Sequence, residues 1–245
     1  MTRYENRLYR NFAPTRTTAF RVTIGQSDLF VRADRDLQTE VRDTLLTVRY
    51  QIERYIQTNA AFAISLESLA DDPLAPPVCR KMLSAGRAAG VGPLAAVAGA
   101  VAEEVAEKVG HLTREIIIEN GGDLYLKLTE DLVVGVHTGK DSPFSDKIGL
   151  KISAASTPCS LCTSSGQFGH SFSFGEADAV TVLASSACLA DAAATAVANL
   201  VQSPADIDAA LARAREIEGV MGAAVFAGDK MGLWGDLELV NLTDS

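Results

Sequence analysis

The stretch Glu115–Leu128 reads EIIIENGGDLYLKL and consists of two apolar runs on either side of Asn120–Asp123. Asparagine, glycine and aspartate accept the positive φ angles that tight hairpin turns require. Branched and aromatic apolar residues favour strands. The stretch therefore predicts an antiparallel hairpin with strands over Glu115–Glu119 and Leu124–Leu128.

Outward from this hairpin, apolar spacing predicts strands and helices in alternating blocks. Apolar residues recur at steps of three and four over Asp36–Thr58, which indicates a long amphipathic helix. The other predicted helices cover Val78–Ala89, Gly92–Val109, Ala187–Val201 and Ala205–Ile217. The other predicted strands cover Arg3–Phe12, Thr18–Ile24, Leu29–Ala33, Leu132–His137, Lys147–Ser153, Ala179–Ala184, Val220–Phe226 and Leu233–Val240. We expect Leu132–His137 and Lys147–Ser153 to continue the sheet of the hairpin.

The order of these blocks predicts an α+β fold in which helices pack on largely antiparallel sheets. The chain has 245 residues, of which 47% are hydrophobic, so it can bury a sizeable core. We expect a single domain over residues 1–245.

The charge balance argues against some classes of function. The formal net charge is −9, whereas dedicated binders of nucleic acid or of membrane surfaces carry a basic footprint. The opening residues MTRYENRLYR contain no apolar signal core, and no stretch reaches the length of about 20 apolar residues that a membrane span requires. We therefore expect a cytoplasmic protein that binds neither nucleic acid nor membranes, with its four cysteines reduced.

Small residues dominate Gly90–Ala100, which reads GVGPLAAVAGA. Such residues let the backbone approach either a ligand or another helix closely, and on sequence alone tight helix packing is favoured. The turn Asn120–Asp123 has two interpretations as well. It is either a plain hairpin turn, which its residues favour, or a turn whose N–H groups and Asp123 contact a ligand.

Serine, threonine and glycine are concentrated in Ala155–Gly169, which we interpret as a functional loop. Within it, Cys162–Gly166 offers hydroxyls and flexible backbone that suit a phosphate, with a polar turn as an equal alternative. The Gly-Lys-Ser/Thr pattern of a Walker loop is absent. Cys159 and Cys162 form a C-x-x-C without the further ligands of a zinc site, and we interpret them as incidental cysteines.

The late segment Ala190–Ala196 reads ADAAATA, and its two polar residues, Asp191 and Thr195, share one helix face. Carboxylate and hydroxyl oxygens are hard donors, which suit Mg²⁺. The alternative, which the spacing alone favours, is an ordinary polar helix surface.

Taken together, these segments resemble the ApbE-like superfamily, whose best-known members are Mg²⁺-dependent FAD:protein FMN transferases. The motifs of that superfamily are of the types G-I-A-K-G-Y-A, N-x-G-G-D, T-S-G followed by a histidine, and A-D-A-L-A-T-A. This chain carries, in the same order, Ala96–Val101, Asn120–Asp123, Thr163–Gly166 with His170, and Ala190–Ala196.

The resemblance implies an ApbE-like layered fold with one ligand pocket. It implies an Mg²⁺ site at Asp191 and Thr195, helped by a backbone carbonyl from around Val97, and a bound FAD or related phosphate-bearing ligand. It implies a proton-transfer role for His170. The implied ligand contacts are Val97, Gly99, Asn120, Gly121, Gly122, Asp123, Thr163, Ser164, Ser165 and Gly166.

Two departures from the family pattern indicate a divergent branch. The D-P-x-T-G loop that follows the histidine is replaced by Ser171–Glu176, and the lysine of the small-residue motif is Ala98. The predicted function is an Mg²⁺-dependent enzyme that acts on or binds a flavin- or nucleotide-type cofactor. The alternatives are a non-catalytic cofactor-binding or regulatory protein, and an assembly role in which the alanine-rich helices form a homodimer interface.

Overall fold

Eleven strands in two sheets form the framework of the described part of the chain. The computed structural model describes residues 17–140, 142–165 and 175–244. Within these ranges the strands are β1 (Thr18–Ile24), β2 (Ser27–Ala33), β3 (Ile116–Asn120), β4 (Asp123–Lys127), β5 (Leu132–Gly135), β6 (Ile148–Ile152), β7 (Cys159–Ser164), β8 (Ala179–Ala184), β9 (Val220–Ala227), β10 (Lys230–Gly235) and β11 (Glu238–Asn241). They form an eight-stranded sheet of order β1-β2-β3-β4-β7-β8-β9-β10 and a three-stranded sheet of order β11-β6-β5. Neighbouring strands in both sheets are antiparallel.

The hairpin predicted at the centre of the sequence is confirmed. Strands β3 and β4 pair with Asn120 opposite Asp123, so the turn has only two residues. Gly121 has a φ angle of 74°, a left-handed conformation that glycine adopts without steric cost. The hairpin lies inside the larger sheet, where β2 and β7 pair with its two outer edges.

Helices cover one face of the larger sheet. In the described ranges they are α1 (Gln38–Thr58), α2 (Ala60–Ile64), α3 (Pro77–Ala89), α4 (Val97–Val109), α5 (Ala187–Ala198) and α6 (Ile207–Glu216). The apolar stripe predicted for the first long helix is buried in α1, at Val41, Leu45, Val48 and Ile52. The α+β class with largely antiparallel sheets is therefore confirmed.

The smaller sheet covers the opposite face, so the larger sheet lies between two cores. Strand β3 shows the alternation: Ile116 and Ile118 pack with the helices, whereas Ile117 packs with residues of the smaller sheet. Burying one such side chain contributes about 1.5–3 kcal/mol. An apolar run without polar alternation is what a strand covered on both faces requires.

The alanine-rich helix α5 lies deep in the helical layer. Eleven of its twelve residues are buried, and it packs against α3, α4, β7 and β8. Its alanine-rich surface is therefore covered by the chain itself, and so is most of α4. The predicted route to a homodimer through these helices is wrong for this reason, and dimerisation as such stays a prediction.

Three of the predicted strands differ from the structure. Leu132–His137 and Lys147–Ser153 do not continue the hairpin's sheet, because their strands β5 and β6 pair with β11 in the smaller sheet. Leu233–Val240 is two strands in different sheets. The break follows Gly235, where φ is 83° and the amide of Asp236 bonds the Met221 carbonyl at 3.0 Å.

The predicted helix Gly92–Val109 begins instead as a 3₁₀ turn over Pro93–Ala96 and continues as α4. The middle of the predicted Ser/Thr loop is a strand, because Cys159–Ser164 forms β7 and pairs with β4 and β8. The predicted strand Arg3–Phe12 lies outside the described residues.

The C-x-x-C cysteines lie on opposite faces of β7. Cys159 packs with the smaller sheet and Cys162 with the helices, as a spacing of three in a strand dictates. Their side chains therefore point away from each other, and neither a disulfide nor a shared metal can form between them. Their interpretation as incidental cysteines agrees with this geometry.

Among the described residues, no single helix is long and apolar enough to cross a bilayer. Within that part of the chain, a length and apolar composition sufficient for a membrane span are reached only by two helical segments counted together, Pro77–Ala89 and Pro93–Leu112. A bend of 106° separates these two segments.

The four cysteines are buried, which predicts slow thiol chemistry. Burial raises the pKa of Cys159 to about 11 and that of Cys79 to about 12, and it raises the pKa values of Cys162 and Cys188 well above the usual value. The thiolate is the reactive form, so at pH 8 we expect alkylation about 100-fold slower in native than in urea-unfolded protein. The rate should rise as the pH approaches 11. Mass spectrometry after iodoacetamide treatment measures this, and a Cys159–Cys162 disulfide after mild oxidation would contradict the geometry.

Gly92 holds the loop before α4 against the end of α2. A Cβ atom added there would lie 1.8 Å from the Ser65 carbonyl oxygen, so we expect Gly92→Ala to lower the free energy of unfolding by about 1–3 kcal/mol. Gly110→Ala is the matched control, because its added Cβ meets no atom of the described residues within 4 Å. That variant should be neutral or stabilising by about 0.4–1 kcal/mol. Urea denaturation of both variants checks the prediction.

Candidate functional site

The candidate site begins where helices α4 and α5 touch. Gly99 lies in the first turn of α4, and its amide donates a 2.9 Å hydrogen bond to Oδ2 of Asp191 on α5. A Cβ atom at Gly99 would lie 2.1 Å from the Ala187 carbonyl oxygen, so only glycine permits this approach. The small-residue segment thus serves tight helix packing and, through the same contact, holds a carboxylate.

The hairpin is tied to the same turn of α4. Nδ2 of Asn120 donates a 3.0 Å hydrogen bond to the carbonyl oxygen of Ala98, the residue before Gly99. Asn120 faces Asp123 across the hairpin, so both side chains lie on the helix face of the sheet. The predicted backbone carbonyl from around Val97 therefore corresponds in space to that of Ala98, while Val97 itself is half-buried at the start of α4.

Two buried carboxylates interact at this point. Asp123 and Asp191 are each about 6% exposed. Burial raises the pKa of Asp191 well above its usual value, and the nearby charge of Asp123 raises it further, although amides of Gly99 and Ala98 oppose the shift. Two like charges at a desolvated site disfavour double ionisation, so the pair suits either a shared proton or a bound cation.

Among the described residues, buried hydroxyls without a hydrogen-bond partner lie on the same side of the sheet as these carboxylates. Oγ1 of Thr195, one helical turn beyond Asp191, is buried and forms no hydrogen bond within the described part of the chain. Oγ of Ser164, at the end of β7, is also buried without a hydrogen-bond partner in the described residues. Ser164 lies on the same face of β7 as Cys162, which is the face that the helices cover. A buried hydroxyl without a partner costs about 1–3 kcal/mol. Both atoms therefore have unused capacity for a hydrogen bond or a cation, as has the hydroxyl of Ser160 on the same face of β7.

The donors fit a hard cation better than a soft one. The candidate ligands are carboxylate, hydroxyl and carbonyl oxygens, which magnesium prefers. In the described ranges no group of three or more His, Cys, Asp or Glu side chains could hold a metal ion. A cation at Asp191 and Thr195 would therefore take part of its coordination from water or from a phosphate-bearing ligand, as Mg²⁺ usually does.

The structure does not bring every predicted residue to this cluster. Thr163 points to the opposite face of the sheet, where its hydroxyl lies 2.9 Å from that of Thr181. Only its backbone adjoins the hairpin turn, with its amide 3.2 Å from the Gly122 carbonyl oxygen. Ser165 follows the end of β7. Gly166 and the predicted catalytic His170 lie outside the described residues.

Sequence reasoning missed two features of the cluster. It assigned Asp123 to the ligand, without seeing that its carboxylate faces Asp191. It also overlooked Ala98, whose carbonyl binds Asn120. The first could have been found by placing Asp123 in register on the helix face of the hairpin, whereas the second depends on how α4 docks and has no local signal.

Comparison with known proteins gives consistent relatives over most of the chain. The family model described as AbpE bacteria matches residues 10–232. A UPF0280 protein of Methanopyrus kandleri is 39% identical over 224 residues, which cover 89% of this chain and 90% of the relative. A UPF0280 protein of Methanocaldococcus jannaschii is 37% identical over 230 residues, which cover 91% and 93%.

Solved structures give the same answer for the fold. The ApbE protein of Thermotoga maritima superposes with a TM-score of 0.58 at 11% identity, covering 88% of this chain and 96% of the other. The apo form of the flavinyl transferase ApbE of Pseudomonas stutzeri superposes with a TM-score of 0.57 at 14% identity, covering 89% and 94%. The predicted layered fold is therefore confirmed, and the chain belongs to the AbpE bacteria family, as a divergent branch with UPF0280 relatives and the fold of ApbE flavin transferases.

Proposed function

We propose that the chain binds Mg²⁺ together with a flavin- or nucleotide-type cofactor at the cluster around Asp191, and that it acts on the phosphate linkage of that cofactor. The observation that carries the proposal is the buried hydroxyl of Thr195, which lacks a partner within the described residues and lies one turn from the buried Asp191. A carboxylate and an unsatisfied hydroxyl on one helix face form a donor pair that a cation would complete. The similarity in fold to flavin transferases supports the same choice of ligand.

In this proposal Asp191 and Thr195 hold the metal. Asp123 contributes negative charge beside Asp191, and Asn120 fixes the first turn of α4 through the Ala98 carbonyl. When bound, Mg²⁺ neutralises phosphate oxygens and polarises the linkage between them. The amides of Gly99 and Ala98 already orient the Asp191 carboxylate, so little rearrangement is needed to receive the metal.

The phosphates of the ligand would lie over the hairpin turn and the end of β7, on the helix face of the sheet. Gly121 and Gly122 leave the backbone accessible there, and Ser164 offers a buried hydroxyl without a partner in the described ranges. Ser165 follows β7 in the chain, and a contact from Gly166 stays a prediction from sequence. Thr163 contributes backbone only, because its hydroxyl is committed to Thr181 on the other face. Proton transfer by His170 stays a prediction from sequence.

A second candidate is a protein that binds the cofactor without turning it over. Ala98 stands where the family motif has lysine, and the D-P-x-T-G loop is absent from the sequence. Neither departure replaces Asp191 or Thr195, so metal binding could be kept where catalysis is lost. This candidate predicts that the ligand is retained but no product forms.

The test is to incubate the protein with FAD and MgCl₂, to measure FAD binding by fluorescence quenching, and to measure AMP release by chromatography. Binding that requires Mg²⁺, with AMP release, supports the enzyme. Binding that requires Mg²⁺ without AMP release supports the non-catalytic candidate. Absence of Mg²⁺-dependent binding rejects both.

Removing one metal donor should abolish the dependence on Mg²⁺. We expect Asp191→Asn, which keeps the size of the side chain, to weaken Mg²⁺ binding by about 100-fold or more, because it removes the charged donor. Isothermal titration calorimetry with MgCl₂ measures the affinity. Asp206→Asn, in an exposed capping box at the start of α6, is the control and should bind as wild type does.

The variant Thr195→Val tests whether the Thr195 hydroxyl belongs to a ligand-binding site or whether Thr195 is an ordinary core residue. Valine has the same shape but lacks the hydroxyl, so we expect the ligand-free protein to be more stable by about 1 kcal/mol. The same variant should bind Mg²⁺ more weakly. Thr181→Val is the control: it is fully buried, but its hydroxyl has a partner, so that variant should be less stable by about 1 kcal/mol. Equal effects of the two variants on stability would show that Thr195 is an ordinary core residue.

A further inference from the structure

Helices α4 and α5 each carry a carboxylate that binds the first turn of the other helix. Asp191 on α5 accepts from the amide of Gly99 at 2.9 Å. Glu103 on α4 accepts through Oε2 from the amide of Cys188 at 3.1 Å and from the hydroxyl of Ser186 at 2.8 Å. The amides in the first turn of a helix have no hydrogen-bond acceptor within their own helix and carry partial positive charge. A carboxylate provides both the acceptor and the opposite charge.

Glu103 is buried and its charge is balanced on its other side. Its side chain is only 8% exposed, and Oε1 forms a 3.1 Å ion pair with Nζ of Lys81 on α3. An unpaired charge in that position would be strongly destabilising. With both oxygens engaged, Glu103 joins α3, α4 and α5 at one point.

The two contacts are neighbours along both helices. Gly99 and Glu103 are four residues apart on α4, and Cys188 and Asp191 are three residues apart on α5, so each pair shares a helix face. A shift of α5 along α4 would break both contacts together. The position of Asp191 at the Gly99 amide is therefore set in part by the bond between Glu103 and the start of α5.

We propose that Glu103 is a positioning residue for the metal site, which it serves by fixing the start of the helix that carries Asp191 and Thr195. The inference rests on the proposed Mg²⁺ site. It adds a residue that contacts neither metal nor ligand, and that no motif of the sequence indicates.

The chain provides a matched control in the adjacent residue. Glu104 is equally buried and also pairs with Lys81, at 3.3 Å, and with Lys108, at 3.2 Å. Its two ion pairs reach α3 and α4 only. A role in overall stability would make the two glutamates alike, whereas a positioning role belongs to Glu103 alone.

The first measurement is Mg²⁺ affinity by titration calorimetry in Glu103→Ala, Glu103→Gln and Glu104→Ala. Substitution of residues that orient metal ligands typically weakens affinity by about 10- to 100-fold, and we expect Glu103→Ala to fall in that range. Glu103→Gln keeps an acceptor oxygen but loses the charge, so its loss should be smaller. Glu104→Ala should bind Mg²⁺ as wild type does.

The second measurement needs no metal. We expect hydrogen exchange of the Gly99 amide, followed by NMR, to be about tenfold faster in Glu103→Ala and unchanged in Glu104→Ala, because only the former releases Asp191 from that amide. If wild type does not bind Mg²⁺, the proposed function fails, and the exchange of Gly99 still decides whether Glu103 positions Asp191.

Equal changes in the Glu103 and Glu104 variants would overturn the inference, and so would a Gly99 exchange rate that is the same in wild type and Glu103→Ala. If Glu103→Ala does not fold, Glu103→Gln carries the test. Faster Gly99 exchange in that variant than in Glu104→Ala supports positioning, and a rate equal to that of Glu104→Ala refutes it.

Discussion

The close approach of α4 and α5 at Gly99 is the constraint on which the candidate site depends. A side chain at this position would collide with the Ala187 carbonyl, so the distance between the helices is set by the lack of one. That distance brings the Gly99 amide within 2.9 Å of the Asp191 carboxylate. Without this close approach, the buried carboxylate would lose that backbone hydrogen bond. The same contact thus packs the two helices and makes a buried carboxylate tolerable.

The alanines of α5 follow from the same constraint. The helix packs against the larger sheet on one side and against α3 and α4 on the other, and larger side chains would push these layers apart. Alanine also loses no side-chain entropy on burial, so a helix of alanines can be enclosed at little conformational expense. Asp191 and Thr195 are then the two strongly polar side chains of a helix that otherwise carries alanine, valine, leucine and cysteine.

Local signals in the sequence were sufficient for much of the fold. The Asn120–Asp123 turn and the apolar stripe of α1 depend on residues within a few positions of each other, and both were predicted correctly. Pairings between distant strands were not accessible in this way. Whether β5 and β6 join the larger sheet depends on β11, about a hundred residues later in the chain.

For the candidate site too, only the features that follow from local periodicity could be predicted from the sequence. The spacing of Asp191 and Thr195 placed them on one helix face, which needs only helical periodicity. The direction of the Thr163 side chain was not predicted because β7 was interpreted as a loop, and a loop carries no alternation of faces. Once the segment is a strand, Ser164 and Thr163 must point in opposite directions, and only Ser164 lies on the side of Asp191.

The remaining question is whether packing alone explains the polar side chains of α5. Packing accounts for Gly99 and the alanines, but it does not account for Thr195. Valine would fill the same space without burying a hydroxyl that has no partner in the described part of the chain. The same holds for Ser164, where alanine would serve a packed sheet as well. In the proposed function, a bound group would supply the positive charge that the two carboxylates favour and the partners that the hydroxyls of Thr195 and Ser164 lack among the described residues.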